Sequence, residues 1–576
     1  MNNCSIQEVM DFVEIIPVVK KYEWGRKEKL ALTKVFYRNI KQIKELENHH
    51  HKINSSFNIE NGDTSNSIEL ISEDKIKVEN KESYLLDDHN KKRLIENEQN
   101  KEKEEEDYDE KDPYAELWYG SHISSPSQIS FNGKIIDKFT LDDVISCNFE
   151  KQALITPNIS LNNKNQNNKI PFLLKILSIS KPLSLQVHPD KILAKELHST
   201  FPCIYSDDNH KPEIAIALSE FETFCGFRNT IEILSIIENF PETFDIFGIS
   251  LEFIKKTINE YNQQDNKLKS DVINVNNNIH DQSQEDPFFT IKKDLFINML
   301  NSKTETINDS LNKLVNRLKK KSQTFYSSSS IDKTTNINTN NTEIPLIEDL
   351  ILRLHYHFPL DIGIISPILL NYYKLNTGDA VFIGAGTIHS YISGECLECM
   401  ANSDNVIRCG LTPKFKDVHT LIKAVNFQSN NYKIIQNHQI FSSPSSSSSS
   451  SPHLIDYFVN SVQEYHVQIL SMNFNNSPNP LTYLTSKSSP YTLLLCLSGD
   501  CIISFNEKIT KDNCNNFSSS LSHNNDHLTQ KDLVFIQGKA ILTKCNTEIY
   551  FHHLSKQEAK FAMVTLPNGT HDDSTF

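Results

Sequence analysis

Short apolar or alternating runs, bounded by glycine, proline or polar residues, recur along this chain. Lys175–Ser180, Glu213–Leu218, Asp379–Ile383 and Thr492–Phe505 are runs of this kind and predict strands. In Glu213–Leu218 the alternation is clean. Ile214, Ile216 and Leu218 face a core, and Lys211, Glu213, Ala215 and Ala217 share the opposite side. Between Thr230 and Tyr356 the period changes. Ile307, Leu311, Leu314 and Leu318 recur at steps of four, three and four. Ile231–Glu238, Leu251–Ile258 and Ile347–Leu354 also read as helices. The pattern predicts a helical block set between two groups of strands.

Four polar tracts interrupt this pattern. One runs from about Asn39 to Asp112 and ends in the charge run Lys101–Asp112. A short Asn-rich one lies near Ser160–Asn168, a third covers much of Asn262–Glu343, and the fourth holds the serine run Ser445–Ser451. Such segments bury too little apolar area to offset their ordering entropy, so they read as disordered insertions in a folded protein.

At 576 residues, two or three domains are expected. The hydrophobic fraction of 38% supports real cores, while a mean hydropathy of -0.44 reflects the polar tracts. A net charge of -15 argues against general nucleic-acid binding, which needs a basic face. It leaves room for a small anionic substrate held by a few local cations. No secretory signal is visible in Met1–Ile15, and no apolar stretch reaches the roughly 20 residues that span a bilayer. The 11 cysteines form no regular framework. A soluble, reducing, cytoplasmic setting is the expectation.

The densest chemistry lies in Ser184-Leu185-Gln186-Val187-His188-Pro189-Asp190-Lys191. On a strand, Gln186 and His188 point to one face and can address one metal ion. His210-Lys211-Pro212-Glu213 places a carboxylate and an ammonium beside small alanines, as a pocket wall would; an ordinary salt-bridged strand end fits this segment as well. In Gly378–Tyr391 a strand, a Gly-rich turn and a returning strand with His389 resemble the second metal motif of cupins, with Gly384 where proline is usual. Gln186, His188, Glu213 and His389 together make a plausible donor set for Zn²⁺. Cys396 and Cys399 form a lone C-x-x-C and read as buried structural thiols. His355 and His357 follow a helical pattern and read as structural, and His49-His50-His51 reads as solvated.

The chain closely resembles type I mannose-6-phosphate isomerases (phosphomannose isomerases). The resemblance is carried by Tyr22-Glu23-Trp24-Gly25, Tyr114-Ala115-Glu116-Leu117-Trp118, the Gln186/His188 segment, His210–Glu213 and Phe224-Cys225-Gly226-Phe227-Arg228. It continues through Asp361-Ile362-Gly363, Ser393–Met400, Ser403-Asp404-Asn405 and Arg408–Phe415. Both tryptophans, Trp24 and Trp118, fall in these motifs on either side of the first polar tract, which supports reading that tract as an insertion within one domain.

What the resemblance implies is specific. The fold would be mainly β with an α-helical insertion: two cupin-like (jelly-roll) β domains plus a helical domain. Residues 1–228 and 356–428 would form the catalytic cupin, with 39–112 inserted. Residues 229–355 would be helical, with disordered stretches at about 262–286 and 323–343. Residues 429–576 would form a C-terminal cupin-like domain without metal, with a Ser-rich loop at 442–452 and strands within Leu494–Phe505 and Lys531–Lys544. The family's zinc ligands match Gln186, His188, Glu213 and His389, and its active-site arginine matches Arg408. Pocket residues match Lys175, Ser184, Lys211, Tyr391, Glu398, Asp404 and Lys414. Departures are Gly384, Ile388 and Cys409 and the long insertions.

The implied reaction interconverts mannose 6-phosphate and fructose 6-phosphate through an enediol, with one Zn²⁺ per subunit and no nicotinamide, feeding GDP-mannose synthesis and glycosylation. Asp404, Glu398 and His210 are candidate bases by type. Arg408 is suited to stabilising an enediolate or helping to open the sugar ring. Lys175, Lys211 and Lys414 are suited to the phosphate. The expected partner is a small sugar phosphate, with neither nucleic acid nor membrane, and a monomer. Two competing readings are a sugar-phosphate-binding cupin without turnover and an Fe²⁺ oxygenase.

Overall fold

The computed structural model describes residues 12–41, 112–131, 134–136, 140–145, 170–271, 286, 288–328, 343–428, 431–437, 453–474, 481–485, 489–505, 533–544, 547–553 and 558–567. The His49–His51 and Ser445–Ser451 runs and the Ser160–Asn168 tract lie outside them.

The first β domain is built around the strand His389–Ala401. Its first half pairs with Phe221–Phe227 and, at His389, with Leu185–Val187; its second half pairs with Phe172–Ile179 and Glu213–Ala217. The handover falls at Gly394, whose φ of +112° and lack of a Cβ let the backbone bend against Glu220. One long strand thus serves two layers and closes the cupin-like shell. Glu116–Gly120 and Val18–Lys20 extend one edge, and Ala380–Ile383 and Tyr432–Ile435 the other.

The alternation in Glu213–Ala217 works as predicted. Ile214 and Ile216 pack outward into a core shared with Val467, Leu493, Leu495 and Val564 of the C-terminal sheets. Ala215 and Ala217 face the interior with Val381, Ile383 and Tyr391. The two β domains are therefore joined by one continuous apolar core. The C-terminal domain stacks an eight-stranded sheet and a four-stranded sheet, again cupin-like.

The helical block contains Thr230–Ile237, Leu251–Asp271, Phe289–Asn301, Thr304–Ser328 and Glu343–His357. Leu311, Leu314 and Leu318 are fully buried against Ile347, Leu350 and Leu354. The same core continues to Val187, Ile388 and Ile407, behind the metal-motif residues. Each such leucine stabilises the block by about 1.5–3 kcal/mol.

Three observations differ from the domain limits expected from sequence. Phe12–Ile16 lies between Ala540–Lys544 and Gln128–Phe131, so the N-terminal part supplies strands to the C-terminal sheet. Nothing in local periodicity reports a partner so distant. Tyr432–Ile435 pairs with Ala380–Ile383, carrying the first domain's sheet past residue 428; four residues are too few to show a period. The helices Leu251–Asp271 and Thr304–Ser328 run into the stretches expected to be disordered, because a helix already nucleated by an apolar stripe extends at little further cost, even through the Asn, Asp and Ser of 262–271.

Candidate metal centre

Four short segments bring the site together. Leu185–Val187 is a strand of only three residues, so His188 follows its end rather than sitting within it. Pro189 and Asp190 then start the helix Lys191–Thr200, with the Asp190 carboxylate accepting from Leu193 N at 2.7 Å. Glu213 opens its strand. His389 opens the long strand after the Gly384–Gly386 turn, where Gly386 has φ +75°. Gly384 departs from the cupin proline for a visible reason: its N–H donates to Asn431 O at 2.7 Å, a bond that proline cannot make.

His188, Glu213 and His389 are all 1% exposed, and their ligating atoms lie within 4.8 Å of one another. His389 Nε2 is 3.0 Å from Glu213 Oε1, and His188 Nε2 is 3.5 Å from Glu213 Oε2. The other nitrogen of each ring faces a carbonyl: His188 Nδ1 to Asn405 O at 2.7 Å, His389 Nδ1 to Thr387 O at 2.9 Å. A carbonyl only accepts, so both Nδ1 atoms carry the proton. Two bare Nε2 lone pairs then face one carboxylate, and His188 Nε2 is buried without a hydrogen-bond donor among the described residues. Such a cluster of acceptors is satisfied by a shared cation. The donor set, two imidazoles and a carboxylate with outer hydrogen bonds fixing the rings, suits a divalent metal.

Electrostatics agree. Burial, then Lys211, pushes His188 down to about 4, so the ring is neutral near pH 7. Burial alone would raise Glu213; the Lys211 ammonium opposes it, and the carboxylate is held well below its ordinary range.

Gln186 shares a face with both neighbours in register, His389 on one side and Arg408 on the other. Its Nε2 is 3.4 Å from His389 Nε2, while Oε1 accepts from Ser184 Oγ at 3.1 Å. A half-turn of the amide brings its oxygen to the ligand cluster and leaves Ser184 as acceptor, since a hydroxyl serves either role. Arg408 therefore sits in the row His389–Gln186–Arg408. Its guanidinium is half-buried and makes no ion pair among the described residues.

Other expected residues divide into groups. Tyr391 OH donates to Glu213 Oε1 at 3.2 Å, and Lys211 Nζ lies 3.7 Å from Glu213 Oε2. Lys175 Nζ is bonded to Glu398 Oε2 at 2.9 Å, with Glu116 Oε2 at 3.8 Å, under the Trp118 ring. Its charge is thus already balanced by carboxylates. Burial raises Glu398 despite Lys175. Asp404 is exposed and lies 3.4 Å from His122 Nε2. Lys414 is exposed, and its ammonium has no ion pair among the described residues. His210, a candidate base, is tied to Glu464 of the C-terminal domain at 2.7 Å.

The sequence reading did not single out Glu116, His122 or the hydrogen-bonding role of Asn405. Glu116 and Asn405 lie within the quoted motifs; His122 carried no signal. Cys396 and Cys399 are free, buried thiols that belong to different cores, Cys396 inside the shell and Cys399 outside it. Odd spacing on a strand puts them on opposite faces, so they cannot act as a dithiol pair.

A carboxylate and two imidazoles inside a cupin-like shell, with a helical insertion packed behind them, make a candidate metal centre on a cupin-like fold. The catalytic-domain model of type I phosphomannose isomerases matches residues 89–230, and the model of their helical insertion domain matches residues 265–370. It is 39% identical over 320 residues to the mannose-6-phosphate isomerase of Aspergillus fumigatus, covering 55% of this chain and 62% of that protein. To the enzyme of Saccharomyces cerevisiae it is 36% identical, covering 55% of this chain and 64% of that protein. The matched region thus spans less than two thirds of these relatives. A zinc-bound mannose 6-phosphate isomerase structure is similar in fold, with a TM-score of 0.55 at 21% identity over 97% of this chain and 100% of that one.

Proposed function

We propose that this protein is a zinc-dependent aldose–ketose isomerase that interconverts mannose 6-phosphate and fructose 6-phosphate through an enediol, at a site formed by Gln186, His188, Glu213 and His389. One observation carries this reading: two proton-free imidazole nitrogens converge on the buried Glu213 carboxylate, beside the half-buried Arg408. The relatives named above as mannose-6-phosphate isomerases supply the substrate.

Zinc in this site would supply Lewis acidity toward the sugar's carbonyl oxygen. The remaining chemistry belongs to the protein. Arg408, always charged and unpaired by any carboxylate among the described residues, stabilises negative charge developing on oxygen. Lys414, exposed and without an ion pair among the described residues, suits the phosphate. Lys211 and Tyr391 hold Glu213 in place, and Ser184 holds the Gln186 amide. The Lys175–Glu398–Glu116 cluster fixes the wall beside Trp118. Proton transfer falls to Asp404, Glu398 or His210. In this role the chain would feed GDP-mannose synthesis.

The test is a coupled assay converting mannose 6-phosphate to fructose 6-phosphate, with metal content measured on the same sample. Turnover that tracks zinc supports the proposal. Zinc bound without turnover favours a sugar-phosphate-binding cupin, and tightly held iron favours an oxygenase.

A further inference from the structure

Asp207 belongs to no motif residue assigned above, yet its carboxylate is the hub of the loop behind His188. Oδ1 accepts from Ser403 Oγ at 2.8 Å, Asn209 N at 3.0 Å and Asn405 Nδ2 at 3.1 Å. Oδ2 accepts from Asp404 N at 2.7 Å. Four donors from two separate segments thus converge on one side chain. The loop so held, Ser403-Asp404-Asn405, does two things. The Asn405 carbonyl takes the Nδ1 proton of His188 at 2.7 Å, which leaves Nε2 bare and turned toward Glu213. Asp404 is held 3.4 Å from His122. Ser403 and Asn405 are buried, and the Asn405 amide also donates to the carbonyls of Asp207 and Asn209, so the loop has little freedom once the carboxylate is in place.

We infer that Asp207 is a positioning residue for the metal site, acting through the Asn405 carbonyl to fix the tautomer and aim of His188. The inference rests on the reading of His188, Glu213 and His389 as metal ligands. An asparagine at 207 offers one acceptor oxygen in place of two and turns an NH₂ group toward at least one existing donor. The loop must then shift, and the His188 ring loses its fixed acceptor. Outer partners of metal-bound histidines contribute about 10- to 100-fold to metal affinity.

The experiment compares wild type, Asp207→Asn and Asp208→Asn. Asp208 is exposed, adjacent, and makes no hydrogen bond among the described residues. Zinc affinity is measured by competition with a chromophoric chelator, and the His188 tautomer by ¹⁵N shifts of the metal-free protein. The expected result is a zinc Kd raised about 10- to 100-fold in Asp207→Asn, unchanged in Asp208→Asn. The Nδ1–H tautomer of His188 should dominate in wild type and become mixed in Asp207→Asn. A purely structural role would lower the melting temperature and leave both readouts, taken well below melting, at wild-type values. That outcome overturns the inference. Should Asp207→Asn fail to fold, Ser403→Ala, which removes one of the four bonds, is expected to weaken zinc several-fold; wild-type affinity there overturns it equally. A wild-type protein that binds no zinc defeats the metal-site reading instead, and the metal-free tautomer measurement still decides the role of Asp207.

Discussion

Lys175→Met tests the buried charge cluster in the barrel wall. Lys175, Glu398 and Glu116 are all under one tenth exposed. With Nζ at 2.9 Å from Glu398 and 3.8 Å from Glu116, the two attractions are about 6 and about 4 kcal/mol at an effective dielectric constant near 20. Desolvation of the ammonium offsets several kcal/mol of this. Methionine nearly matches the volume of lysine, so packing changes little, and the cost comes from two buried carboxylates left without a cation. We expect a loss of about 3–5 kcal/mol at neutral pH. Burial already raises Glu398, with Lys175 holding it down; without the lysine it rises further. The native state then binds that proton more tightly than the unfolded chain. The deficit must therefore shrink as pH falls toward the ordinary carboxylate range. Urea unfolding followed by tryptophan fluorescence suits the measurement. The chain has two tryptophans, and the Trp118 ring lies 5.1 Å from Lys175 Nζ. A loss below about 1 kcal/mol, or a deficit that grows on acidification, refutes the reasoning.

Arg408→Ala is expected to fold and bind zinc normally while losing roughly 10²–10³-fold in kcat, as removal of an oxyanion-stabilising group does elsewhere; wild-type turnover takes Arg408 out of the mechanism. A strong chelator should abolish isomerase activity, with Zn²⁺ restoring it, and activity that survives complete metal removal contradicts the proposed site. Burial would raise Glu222, but hydrogen bonds from Arg353, Ser393 and Tyr372 bring it down to about 2. A depressed carboxylate contributes stability that is present above its unfolded pKa of about 4.5 and is lost as pH falls to about 2. Melting temperatures of Glu222→Gln should therefore lie below wild type at neutral pH and converge with it across that window; a constant gap tells against the ion pair as the cause.

Much of the first barrel was legible because strand alternation and burial share one physical origin. Ile214, Ile216, Ala215 and Ala217 sort to their faces as the sequence pattern demands. The stripe Leu311, Leu314, Leu318 is legible for the same reason at helical period. The four proposed ligands were readable from residue type and spacing together with family resemblance; His188, Glu213 and His389 come together, with the Gln186 amide 3.4 Å from His389. What stayed hidden depends on contacts between segments far apart in the chain. Asp207 looks like any loop aspartate until Ser403, Asp404 and Asn405 arrive beside it. Lys175 reads as an available cation until Glu116 and Glu398 flank it. Glu464 carries no local signal, yet it reaches His210 across the domain junction. Periodicity reports which face a side chain takes, not which distant partner it meets there.

Strand Phe12–Ile16 has a consequence for how the protein is made. Ile15 pairs with Ala540, a separation of 540 − 15 = 525 residues. At roughly 5–20 residues per second, a ribosome needs about half a minute to two minutes between emitting the two partners. During that interval Val13 and Ile15, destined for a dry core, have no mate on one side. The first β domain can close as soon as its own strands have emerged, but the eight-stranded sheet cannot. Sheet closure is thus a late event, and the waiting edge is where a holdase chaperone would be needed most.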